Sequence, residues 1–114
     1  MPKRKAAVIG SGVAGLASAI RLAVQGFEVN VFERNAYPGG KLSSFEKDGF
    51  CFDAGPSLFT QPRNLHELFD FAGEQLEDYF QYEQVDLSCK YFYGNGKQVN
   101  AWTDEEKLAD ELGT

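Results

Sequence analysis

The hexapeptide Gly10-Ser11-Gly12-Val13-Ala14-Gly15 constrains this chain more than any other stretch. A G-x-G-x-x-G spacing alone says little, because glycine is common; its flanks give it meaning. Residues 5–10, Lys-Ala-Ala-Val-Ile-Gly, read as a short buried strand that ends in glycine. From Val13 to Gln25 the apolar Leu16, Ala19, Ile20 and Ala23 recur at helical spacing, and Gly26 suits a left-handed stop. Phe27 to Glu33 reads as a second strand, with Val29 and Val31 on one side. Strand, glycine turn, helix and strand make a βαβ unit, whose right-handed crossover sets the two strands parallel.

At that junction each glycine has a physical task. Gly10 allows the tight turn, Gly12 lets a pyrophosphate approach the backbone, and Gly15 lets helix and strand pack closely. Unpaired N–H groups at the helix start, with the helix dipole behind them, favour bound phosphate. Glu33 follows at the end of the second strand, 18 residues past Gly15 and 23 past Gly10. A carboxylate there accepts hydrogen bonds from a ribose diol and repels a 2′-phosphate, which points to a dinucleotide other than NADP despite the adjacent Arg34. The alternative is a solvated carboxylate at a strand end.

After Glu33 a simple NAD domain continues into another helix and strand. Here the chain supplies Pro38-Gly39-Gly40-Lys41 and then Gly49-Phe50-Cys51-Phe52-Asp53-Ala54-Gly55-Pro56-Ser57. A second glycine loop bearing a cation suits an elongated, doubly phosphorylated cofactor. Lys41 is read as balancing phosphate charge, as lying near a flavin ring, or as a solvated loop lysine. A hairpin is expected from Lys41–Glu46 and Phe50–Asp53, and Asp53 is expected to brace the turn before Gly55-Pro56 or to face the cofactor. Phe45, Phe50, Phe52 and Phe59 alternate with polar residues and are assigned to a core, with lining of a polyene channel as the alternative.

Further on, Asn64 and Glu67 form a candidate capping box for a helix carrying Leu65, Leu68, Phe69 and Ala72, stopped by Gly73. A short helix follows at Glu74 to Phe80. Leu87–Tyr93, Gly94-Asn95-Gly96 and Gln98–Trp102 read as a second hairpin. Thr103 and Glu106 are expected to cap a final helix to about Leu112, with Gly113 at its end and the glutamates at 105 and 106 complementing its dipole. His66, the one histidine, is given a surface or first-turn role.

Charge divides the 114 residues unevenly. Residues 1–63 carry eight Lys or Arg against five Asp or Glu, a balance of +3; residues 64–114 carry three against twelve, a balance of −9. Eight of the twelve glycines also fall in the first part. So acidic a chain, without a basic stripe, is a poor partner for nucleic acid. Cys51 and Cys89 match no metal-ligand spacing and are expected to be buried, reduced thiols of a cytoplasmic protein. Lys3-Arg4-Lys5 before an apolar run imitates a secretory leader, but glycines 10, 12 and 15 interrupt the run and no stretch reaches the length of a membrane span.

The succession VIGSGVAGLASAIRLAVQGFEVNVFERNAYPGGK, then GFCFDAGPSLFTQP, resembles the flavin-dependent amine-oxidase-like superfamily, and within it the bacterial-type phytoene and related carotenoid desaturases and isomerases. The resemblance is dense over residues 6–62 and looser through LHELFDFAGEQLEDYF and YFYGNGKQVNAW. It implies a Rossmann-like α/β fold for binding FAD, with an appended helix and hairpin opening a substrate domain. The expected division is 1–63 for the cofactor and 64–114 for the start of the substrate part. It also implies backbone contacts to the pyrophosphate at Gly10, Ser11, Gly12, Ala14 and Gly15, and a ribose contact at Glu33 with Arg34 beside it. Gly40 and Lys41 would lie along the cofactor, and Gly55, Pro56 and Ser57 near the isoalloxazine.

The implied reaction is FAD-dependent desaturation or isomerisation of a carotenoid such as phytoene, a hydrophobic polyene, with peripheral contact at the inner face of the membrane. An amine or protoporphyrinogen oxidase relative and a non-catalytic dinucleotide-binding module are the alternatives. Family members are several times longer, so the chain is expected to be an N-terminal portion that holds FAD weakly or not at all.

Overall fold

The computed structural model describes residues 1–113 and contains two compact units, Met1–Phe80 and a second beginning at Gln81. The division expected from charge, after residue 63, therefore differs from the packing boundary.

In the first unit β1 (Lys5–Ile9), α1 (Val13–Val24) and β2 (Glu28–Phe32) form the expected βαβ arrangement. The strands are parallel, with Val8 opposite Val31 and Ile9 opposite Phe32. Behind α1, Gly26 adopts φ 87° and Phe27 N–H returns to Leu22 O at 3.1 Å, closing the helix end. Helix α2 (Pro62–Ala72) packs on α1, where Ile20 shares a small apolar cavity with Leu68, Phe69 and Ala72. Arg21 of α1 also lies over the Phe71 ring, 5.2 Å from its centroid. A 3-10 turn at Leu76–Asp78 replaces the expected short helix and delivers Leu76, only 2% exposed, to this core.

α2 does not start at Asn64. Its N-cap is Gln61, and Pro62 supplies the fixed φ that a first helical position favours. Asn64 lies inside the first turn and donates from its side-chain nitrogen to Gln61 Oε1. Gly73, at φ 76°, ends the helix as expected. His66 is half-buried, with Nδ1 3.7 Å from Glu77 Oε1.

β3 (Ser44–Lys47) and β4 (Phe50–Asp53) form the expected hairpin with a later start. Gly39 and Gly40 have positive φ and Leu42 N–H bonds Gly39 O at 3.1 Å, so residues 39–42 are spent on a turn. Asp48 and Gly49, at φ 52° and 80°, are both left-handed, as a two-residue type I′ connection requires. Asp53 closes the ladder opposite Ser44.

The four phenylalanines assigned to a core are exposed, Phe50 the most at 68%. β3 and β4 pack only on each other among the described elements, so neither face of the ribbon is covered. Phe45 and Phe52 stack across the pair at 5.3 Å instead. For the same reason Cys51, on β4, is exposed; Cys89, on the second hairpin, is exposed as well, against the expectation of buried thiols.

In the second unit β5 (Leu87–Phe92) and β6 (Gln98–Trp102) pair antiparallel across Gly94-Asn95-Gly96, and α3 (Glu105–Leu112) packs on β6. Glu111 holds the helix there: its carboxylate accepts from Asn100 N, Asn100 Nδ2 and Trp102 Nε1 at 3.0–3.4 Å. Those bonds lower its pKa, the Asn100 amide contributing most. The cap of α3 is Asp104, whose Oδ1 accepts from Lys107 N at 2.9 Å. Thr103, expected in that role, instead turns its hydroxyl to the carbonyls of Val85 and Asp86. Gly113 closes the helix at φ 75°, as expected.

Candidate dinucleotide-binding site

The glycine turn between β1 and α1 is built so that its amides do different things. Gly10, at φ 94°, donates its N–H to Phe32 O at 2.7 Å and so locks the turn to the end of β2. Ser11 N–H donates to Glu33 Oε2 at 2.7 Å. The helical ladder opens with Leu16 N to Gly12 O at 2.9 Å, so the amides of Gly12, Ala14 and Gly15 precede its first bond. The amides of Gly10 and Ser11, expected to contact a pyrophosphate, are both engaged inside the protein. A Cβ on Gly15 would collide with Gly10 O, the close approach of helix to strand that the motif implies.

Glu33 stands beside this turn with its carboxylate already oriented. Oε2 accepts from Ser11 N and from Ser11 Oγ at 2.8 Å, and Oε1 accepts from Asn35 N at 2.8 Å. These bonds, the Asn35 amide foremost and the Ser11 amide next, lower its pKa from 4.5 to about 2. Glu33 is therefore an anion throughout the neutral range. A depressed folded-state pKa contributes stability that is complete above about 4.5 and lost as pH falls toward 2. Urea melts between pH 5 and pH 2 should show the wild type losing stability more steeply than Glu33→Gln. Parallel profiles would remove Glu33 as the source.

The second glycine loop is pinned to the first. Gly39 N–H donates to Ser11 O at 2.8 Å, and Gly12 and Gly39 form a parallel bridge. A Cβ on Gly40 would sit 3.0 Å from Gly12 Cα, and one on Gly55 would collide with Lys41 O. Gly40 thus approaches Gly12, and Gly55 the Lys41 backbone, as closely as only glycine at positions 40 and 55 permits. The structure brings together Gly10, Ser11, Gly12, Ala14, Gly15, Glu33, Gly40 and Gly55. Arg34, Lys41, Pro56 and Ser57 flank these residues in the chain and are exposed. Asn35 escaped the sequence reading, since nothing in its spacing marks an amide that reaches back to Glu33. Unpaired amides at a helix start, an anionic hydrogen-bond acceptor nearby and a side-chain-free surface at Gly12 together fit the pyrophosphate and ribose of a dinucleotide.

Residues 8–74 match the family of NAD(P)-binding Rossmann-like domains. The chain belongs to that family. Known relatives of this Rossmann-like domain include the 1-hydroxycarotenoid 3,4-desaturase of Flavobacterium sp. (strain P99-3), 46% identical over 93% of the chain and 22% of that protein. The 4,4'-diaponeurosporene oxygenase of Staphylococcus haemolyticus is 38% identical over 95% of the chain and 22% of its own length. The chain thus spans about a fifth of the curated relatives it matches. Among solved structures, putrescine oxidase bound to putrescine aligns with a TM-score of 0.61 at 24% identity, over 97% of the chain and 26% of that protein, a likeness of fold.

Proposed function

We propose that this chain is the FAD-binding portion of an oxidoreductase that desaturates a carotenoid-type polyene. The observation that carries the reading is the junction of the two glycine loops, with Ser11 O and Gly12 on one side and Gly39 and Gly40 on the other, beside the anionic Glu33. One loop and one carboxylate suffice for an adenine ribose and its phosphates; a second backbone loop locked to the first suits a longer cofactor that continues past them. The relatives named for carotenoid substrates, at 38–46% identity, support the substrate class.

When bound, the flavin supplies hydride acceptance from an allylic carbon, with a proton lost alongside. This chain's share is to bind and orient. Gly12, Ala14 and Gly15 offer amides to the phosphates, Glu33 takes the ribose, and Gly40 and Gly55 keep the backbone surface close. Residues 1–63 are assigned to the cofactor and the acidic remainder to the start of a substrate-binding part. A lipid-dissolved polyene would draw such an enzyme from the cytoplasm to the inner membrane face. No helix among the described residues is long and apolar enough to cross a membrane.

A segment exchange tests the reading. Residues 1–113 replace the matching segment of the Flavobacterium 3,4-desaturase, and the purified hybrid is assayed for flavin absorbance and polyene desaturation. Retention of both is expected. A hybrid that keeps its flavin but oxidises amines instead would favour an amine-oxidase-type enzyme, and loss of flavin from a folded hybrid would overturn the proposal.

A further inference from the structure

Ser11 is the one buried polar residue among the described residues, 4% exposed, and its three polar groups serve two other segments. Its carbonyl receives Gly39 N–H, and its amide and hydroxyl both donate to Glu33 Oε2. Any residue but proline at position 11 would keep the two backbone bonds. The hydroxyl is the only contribution that depends on serine.

A carboxylate has about four lone-pair sites. Ser11 donates twice to Oε2 and the Asn35 amide once to Oε1, and the Arg34 amide adds only a weaker contact, so Oε1 keeps acceptor capacity for a ligand hydroxyl. The terminal torsion of a glutamate is broad, so bonds to the backbone alone hold the group less narrowly than the same bonds with a hydroxyl added. We propose that the Ser11 hydroxyl is a positioning group that fixes the direction of the remaining Glu33 lone pair, and thereby tunes the chain for a ribose that carries its hydroxyls. This deepens the proposed dinucleotide site and rests on that reading. It also sets the role of Ser11 apart from phosphate binding: both of its donors point at Glu33.

The test compares dissociation constants for ADP and for 2′,3′-dideoxy-ADP, followed by NMR on the 114-residue chain, in the wild type and in Ser11→Ala. A Ser11 that acts through Glu33 on the ribose weakens ADP by roughly tenfold when its hydroxyl is removed and leaves the dideoxy ligand unchanged. Equal weakening of both ligands, or of neither, overturns the proposal. No ADP binding by the wild type would instead overturn the dinucleotide reading, and this proposal with it. A second measurement needs no ligand: the carbon-detected titration of the Glu33 carboxyl should move up in Ser11→Ala, and an unmoved midpoint counts against positioning. Ser11→Cys, close in volume and a weaker donor, is expected to behave as the alanine variant does, and serves if the alanine chain fails to fold.

Discussion

Gly15→Val should lower the melting temperature of the first unit by more than about 10 °C, because its Cβ would enter the space of Gly10 O. Neither partner can move aside cheaply. Gly10 O belongs to a turn whose N–H is bonded to Phe32 O, and Gly15 is fixed in the first turn of α1. Overpacking of fixed groups costs about 1–3 kcal/mol, and an obstruction by backbone falls at the upper end or beyond. Gly12→Ala makes the contrast. Gly12 lies at φ −69°, open to any residue, and an added Cβ finds only Gly40 Cα, at 3.9 Å. That variant should melt close to the wild type yet lose affinity for ADP, since the methyl group would occupy the surface proposed for the phosphates. Thermal melts followed by circular dichroism, with ADP titrations beside them, decide the matter. A Gly15→Val chain as stable as the wild type would refute the packing role.

The second large effect is on binding. Glu33→Ala should weaken ADP by roughly 10- to 100-fold, the range expected for hydrogen bonds to a charged group. Two causes act together: the acceptor proposed for the ribose is removed, and Ser11 Oγ loses its partner at a buried position. Adding salt should not restore affinity, because the deficit is one of hydrogen bonding and not of screened charge. ADP titrations of the variant at two ionic strengths measure it, and unchanged affinity would remove Glu33 from the site.

Much of the cofactor side was legible in the sequence because glycine requirements are local. The G-x-G-x-x-G spacing, the apolar period of α1 and the carboxylate after β2 are each read from a few neighbouring residues, and the structure places them as expected. What stayed hidden depends on distant partners. The Gly39 amide that meets Ser11 O lies 28 residues away in sequence (39 minus 11), and no spacing rule joins them. The same holds for exposure. Alternation in Phe45, Phe50 and Phe52 gives the strand period, but burial depends on whether another element covers the hairpin, and none of the described elements does. Capping failed for a third reason. Asn64 and Thr103 are chemically competent, but Pro62 opens α2 two residues before Asn64, and Asp104, one residue after Thr103, takes the Lys107 amide.

Among the described residues β1 has a partner on one side only, in a sheet of two strands. The Gly10 amide points at β2, so by the alternation of a strand the amides of Ala6 and Val8 do too, while those of Ala7 and Ile9 point the other way. In deuterated water the strand should therefore label in a striped pattern. Ala6 and Val8 would exchange only when the βαβ unit opens, and Ala7 and Ile9 near the rate of an unprotected chain. The stripe is a built-in gauge: wherever another strand lies along that edge, in this protein or in a longer one that contains it, the fast amides become slow and the pattern vanishes.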